Sequence, residues 1–105
     1  MSSAAESVNW EDLQLEGIRW EDEGRALVIR MLESGGARTR IVTLRWAQAL
    51  QLKLGLPKDR GGYPMTWDGE VRPLADGQYS LLLDFASDGE IRVICSEIDI
   101  KVVEG

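Results

Sequence analysis

Three glycine-bearing turns constrain this chain more than any other feature of it. Each lies between segments in which apolar and polar residues alternate, and alternation with a period of two marks a β-strand. A slip of one residue turns a whole strand inside out, so each turn can be tested by the pairing it imposes. A two-residue loop at Glu23-Gly24 sets Trp20 opposite Leu27, Ile18 opposite Ile29 and Asp22 opposite Arg25. Apolar side chains then meet apolar ones, and unlike charges meet at the turn. A four-residue loop at Ser34-Gly35-Gly36-Ala37 sets Glu33 opposite Arg38, Ile29 opposite Val42 and Leu27 opposite Leu44. At Ser87-Asp88-Gly89 a two-residue loop would split the apolar set. A three-residue loop instead puts Phe85 opposite Ile91, Leu83 opposite Val93 and Leu81 opposite Cys95, which predicts a bulged turn with Gly89 in the left-handed region.

The apolar phase slips at two places. Leu13 and Leu15 are odd-numbered while Ile18 and Trp20 are even, which predicts a β-bulge at Glu16-Gly17. Ile91, Val93 and Cys95 are odd while Ile98, Ile100 and Val102 are even, which predicts a bulge or bend at Ser96-Glu97. Both would curl the sheet. The stretch from Val42 to Leu56 alternates like a strand, yet residues 47–54 are good helix formers followed by Gly55 and Pro57. A long bent strand is the favoured reading, with a short helix over 46–54 as the alternative. Pro57 to Gly77 holds all three prolines and several Gly-containing pairs, and reads as one long irregular loop.

The fold class that follows is mainly β: an antiparallel meander of five or six strands curled into a small barrel or sandwich. Its expected core is Ile18, Trp20, Leu27, Ile29, Met31, Val42, Leu44, Leu81, Leu83, Phe85, Ile91 and Val93. At 105 residues the chain is one domain. Residues 8–105 form it, and Met1 to Ser7, small and polar, read as a disordered tail with neither the basic start nor the apolar run of a signal peptide.

Composition removes several function classes. With 18 acidic against 12 basic residues the net charge is −6, which repels nucleic acid and anionic membrane surfaces. Arg25, Arg30, Arg38, Arg40 and Arg45 are interleaved with carboxylates and read as solvated strand faces. No stretch is long and apolar enough to span a membrane. There is no histidine, so the commonest general base and metal ligand are missing. The single cysteine, Cys95, allows neither an intrachain disulfide nor a Cys-cluster zinc site, and suits a reducing compartment, the cytoplasm. At an apolar strand position it reads as a buried, inert thiol. The carboxylate groups at Glu11-Asp12, Glu21-Asp22-Glu23, Asp68-Gly69-Glu70 and Asp88-Gly89-Glu90 lack both the facing geometry of acid/base pairs and the ligand spacing of a calcium loop. They read as solvated turns and strand ends. No phosphate loop, dinucleotide fingerprint or nucleophile elbow is present, and no cofactor or metal is expected.

The long loop is the candidate site. It carries Arg60, Tyr63, Met65, Trp67 and Arg72, and Trp, Tyr and Arg dominate interface hot spots because they bury much area at little entropic cost. The competing reading is that Tyr63 and Trp67 fold back to plug one end of the barrel. A second feature is that several strands are apolar on both faces. Val28, Leu32, Ile41, Leu82 and Ile94 point away from the main apolar set, so a second face needs cover, from the chain itself or from a homodimer partner. The expected function is a non-enzymatic protein-interaction module whose acidity favours a basic partner. An inhibitor or immunity-type protein that neutralises a basic toxin or nuclease is its concrete form. A small-ligand β-barrel lined by Trp20, Trp46 and leucines is the alternative, and an enzyme using carboxylates stands third.

Overall fold

The structure, a computed structural model, describes residues 10, 11, 13–33, 38–54, 66–85 and 89–104. Expectations about Met1 to Ser7 and about the Ser34–Ala37 loop fall outside these residues. Among these residues, eight strands form two antiparallel four-stranded sheets. They are β1 (Gln14–Glu21), β2 (Ala26–Leu32), β3 (Arg38–Arg45), β4 (Gln48–Leu54), β5 (Asp68–Pro73), β6 (Tyr79–Asp84), β7 (Gly89–Cys95) and β8 (Glu97–Glu104). The first sheet has the order β1-β2-β3-β8 and the second β4-β7-β6-β5. They stack as a sandwich and do not close into a barrel.

The two expected N-terminal registers are the ones observed. β1 and β2 pair Trp20 with Leu27 and Ile18 with Ile29. The turn has left-handed φ at Glu23 and Gly24, and Arg25 N–H donates to the Asp22 carbonyl at 3.0 Å. This is the twist a two-residue hairpin needs. β2 and β3 pair Ile29 with Val42 and Leu27 with Leu44. The register of β1 slips between Leu15 and Gly17, at the expected bulge.

The third hairpin differs from the expectation. β6 and β7 pair Leu81 with Val93 and Leu83 with Ile91, and Phe85 N–H donates to the Gly89 carbonyl at 2.8 Å. The observed pairing is two residues away from the expected one. A slip of two keeps every side chain on its face, so alternation is blind to it. Gly89 has the expected positive φ, +126°, and is the first residue of β7.

The ambiguous segment is strand, not helix. The chain turns a corner at Trp46, with φ +57°, and continues as β4 in the other sheet. The last strand bends at Ser96 in the same way, passing from β7 into β8. The two corners face each other. Arg45 pairs with Glu97 in one sheet, and three residues along each strand Gln48 pairs with Ile94 in the other. Ser96 N–H donates to the Arg45 carbonyl at 2.9 Å and Trp46 N–H to the Arg25 carbonyl at 2.6 Å. A two-stranded ribbon thus runs through both sheets, folded at its middle. A bulge at the left-handed Ala49 adds curvature to β4.

The expected loop of 57–77 contains a strand. β5 occupies Asp68–Pro73 at the sheet edge, where the missing N–H of Pro73 is tolerated. A three-residue turn, Ala75–Gly77, joins it to β6, and Leu74 N–H donates to the Gln78 carbonyl at 2.7 Å.

Between the sheets lie Leu27, Ile29, Met31, Val42, Leu44, Leu81, Leu83, Phe85, Ile91, Val93 and Cys95, all essentially inaccessible. Each large apolar side chain so buried contributes roughly 1.5–3 kcal/mol relative to exposure. Two expected core members behave otherwise. Ile18 is partly buried and Trp20 is 46% exposed, because β1 is an edge strand and among the described residues no strand lies beyond it. Trp10 and Leu13, not assigned to the core from sequence, are buried in it. Their segment is tied to the start of β5 by one hydroxyl. Thr66 Oγ1 accepts from Leu13 N–H at 2.8 Å and donates to the Trp10 carbonyl at 2.5 Å, while Thr66 N–H donates to the Leu13 carbonyl at 2.9 Å.

Candidate functional site

The outer face of the second sheet carries a concentrated set of charged side chains. In β5, Val71 packs against the core, so Asp68, Glu70 and Arg72 turn outward. In β6 the buried Leu81 and Leu83 leave Ser80, Leu82 and Asp84 outside, and in β7 the buried Ile91 and Val93 do the same for Glu90, Arg92 and Ile94. Pairing then arranges these residues in rows across the strands. Glu70, Leu82, Arg92 and Gln51 form one row, and Arg72, Ser80, Ile94 and Gln48 the next. Glu70, Arg72, Ser80, Leu82 and Arg92 line a shallow open recess of about 190 Å³. Arg72 Nε donates to Glu70 at 2.7 Å, and Arg92 Nε donates to Glu90. The hydrogen bond and charge of Glu70 push the Arg72 guanidinium above its ordinary value, so it stays a cation. The floor of the recess is therefore an apolar side chain and a hydroxyl between two compensated cations.

The third row of this face is acidic. Asp68 stands opposite Asp84, and Asp84 opposite Glu90, with Lys53 at the far end. Like charges directly opposite one another repel across strands, so a cation brought to this row would relieve the repulsion. Trp67 immediately precedes the row. Its N–H donates to the Asp84 carbonyl at 2.7 Å, while its side chain is 72% exposed. An indole contributes little to the fold when so exposed, and much to an interface if covered.

Of the residues singled out from sequence, the structure brings Trp67 and Arg72 to the two ends of one edge strand. Arg60, Tyr63 and Met65 lie outside the described residues. The apolar outward residues fall into two groups. Val28, Leu32 and Ile41 share the outer face of the first sheet, and Leu82 and Ile94 that of the second. Val28 is buried even there, between the outward-facing Arg19 and Thr43, and the other four are half-buried. Trp20 and Trp46, expected to line a ligand cavity, are 46% and 60% exposed. The acidic row was invisible in the sequence because its members are far apart in the chain and β5 was hidden by its Gly and Pro. Among the described residues no group of three His, Cys, Asp or Glu side chains is placed to hold a metal ion, and no helix is long and apolar enough to cross a membrane.

No family model and no curated protein matches the chain. Its fold is similar to that of a solved structure described as an uncharacterized protein from Neisseria gonorrhoeae. The TM-score is 0.71 at 11% sequence identity, over 90% of this chain and 95% of that one. At this identity the likeness concerns the fold alone, and function has to be argued from the surface described above.

Proposed function

We propose that this protein is a non-enzymatic protein-interaction module that docks a basic partner on the outer face of the second sheet, with Trp67 as the anchor. The observation that carries the reading is the 72% exposure of Trp67, the residue that precedes the row Asp68, Asp84 and Glu90 in the chain and whose N–H bonds the Asp84 carbonyl. An aromatic side chain next to carboxylates suits a lysine- or arginine-bearing segment, which gains cation–π contact from the ring and charge pairing from the row. The net charge of −6 supports the same partner class by steering it toward the surface. Inhibition of a basic toxin or nuclease is a concrete form of such a role, and a location in the cytoplasm, suited to its lone thiol, would be compatible with it.

The test is a pull-down from host lysate with tagged wild type beside Trp67→Ala and Asp68→Lys variants, each checked for an unchanged circular-dichroism spectrum. A protein retained by wild type, lost by both variants and released by added salt is the expected result. Equal recovery by all three baits would remove the site from this face.

A further inference from the structure

One edge of the first sheet, β8, carries a sequence that complements itself. β8 pairs with β3 along its whole length, and among the described residues no strand lies beyond it. Which of its backbone groups face outward follows from the ladder. Trp46 N–H donates to the Arg25 carbonyl and Glu33 N–H to the Arg38 carbonyl, so the even-numbered residues of β3 bond toward β2. The odd-numbered ones, Thr39, Ile41, Thr43 and Arg45, therefore bond toward β8, where they pair with Val103, Lys101, Asp99 and Glu97. The N–H and C=O groups of Ile98, Ile100 and Val102 are left pointing away from the sheet. Such a row is a template for another strand unless something blunts it.

The side chains on this edge specify what that strand can be. Glu97, Asp99 and Lys101 alternate with Ile98, Ile100 and Val102; Ile98 and Ile100 pack against the core, while Val102 and Val103 are 44% and 39% exposed. Within the chain Asp99 stands opposite Thr43 and Lys101 opposite Ile41, and neither charge has an ion-pair partner among the described residues. A second copy of β8, antiparallel and related by a two-fold axis through Ile100, supplies both partners. Asp99 then faces Lys101 of the second copy, and Lys101 faces its Asp99, so the pair is made twice. Ile98 meets Val102 and Ile100 meets Ile100. The outward backbone groups of Ile98, Ile100 and Val102 fall opposite one another and bond, while the ion pairs occupy the non-bonded positions where side chains come closest. Moving the axis by one residue sets Asp99 against Asp99 or Lys101 against Lys101, and like charges then repel.

We propose that two copies of this chain associate through β8, edge to edge, joining their first sheets into one eight-stranded sheet in the register centred on Ile100. This surface is separate from the Trp67 face, which each copy keeps open.

The experiment is sedimentation equilibrium of the whole chain across the micromolar range, with three exposed-residue variants. Wild type is expected to double its mass with concentration. Asp99→Lys and Lys101→Asp each place like charges at both contacts, and each alone is expected to be monomeric. Mixed together, the two oppose lysines to aspartates and are expected to recover the dimer, which also establishes that both are folded. Val102→Pro removes one outward N–H without touching the ladder to β3, and is expected to lose the dimer as well. Wild type that stays monomeric throughout overturns the proposal. So does a dimer that survives either charge variant, or a mixture that fails to associate when the wild type does.

Discussion

Gly69 joins two distant parts of the chain by having no side chain. A Cβ at this position would stand 2.5 Å from Cβ and 2.7 Å from Cγ of Trp10, and 3.2 Å from Cδ2 of Leu83. The indole of Trp10 can lie over β5 because the strand is flat there, and glycine inside a strand commonly marks such an approach. Thr66, buried beside it, satisfies two backbone groups of the same N-terminal segment with one hydroxyl. Gly69→Ala is expected to lower stability by about 1–3 kcal/mol, the usual cost of overfilling a packed site. Urea denaturation followed by Trp fluorescence reads this directly. A neutral result would mean that the Trp10 segment moves away at little cost and is not part of the core.

The elements are held in place by their turns and corners. In the first hairpin Glu23 occupies the left-handed region with φ +57°, and Gly24 follows at +87°. Glycine adopts that backbone freely and asparagine nearly so, while glutamate gains nothing there that would offset it. Glu23→Asn creates the favoured Asn-Gly turn and is expected to raise stability by roughly 0.5–1 kcal/mol, visible as a higher denaturation midpoint with an unchanged slope. At the other end of β2, Glu33 accepts from Arg40 at 2.8 Å and pairs with Arg38 at 3.1 Å. The glutamate and Arg40 side chains are each 13% exposed, so this fork is shielded from solvent in a way the surface pairs of Arg19 and Arg45 are not.

At the scale of the whole molecule, the folded ribbon of β3-β4 with β7-β8 ties the sheets together, because two strands of each continue directly into strands of the other. Cys95 ends β7 at the corner, wholly inaccessible, and burial pushes its thiol up to about 11. The fold therefore favours the protonated thiol. Below the ordinary thiol value of 9.0 both folded and unfolded chains are protonated, and the contribution is intact. As pH rises from there toward 11 the unfolded chain loses its proton first, so stability falls, by about 2–3 kcal/mol in all. Urea titrations at stepped pH on wild type and Cys95→Ala check this. The wild-type curve should fall away relative to the variant in that window, and parallel curves would show that the thiol ionises without unfolding the core.

Much of the β architecture was legible in the chain itself, because alternation and turn chemistry are local. Side chains two apart share a face whatever lies across from them, and a glycine at a turn acts within four residues. The first two hairpins, the bulge at Glu16-Gly17 and the bend at Ser96 were readable on those grounds. Alternation fixes which face a residue takes but not its partner two places along, which is why the third hairpin kept its faces and shifted its register. The exposure of Trp20, the burial of Trp10 and the role of Gly69 depend on which strands stand at an edge and what crosses over them, and nothing within a few residues of each encodes that. The same holds for the site. Trp67 and Arg72 stand out by residue type, but the row of Asp68, Asp84 and Glu90 exists only because β5, β6 and β7 pair, bringing charges from separate strands into line.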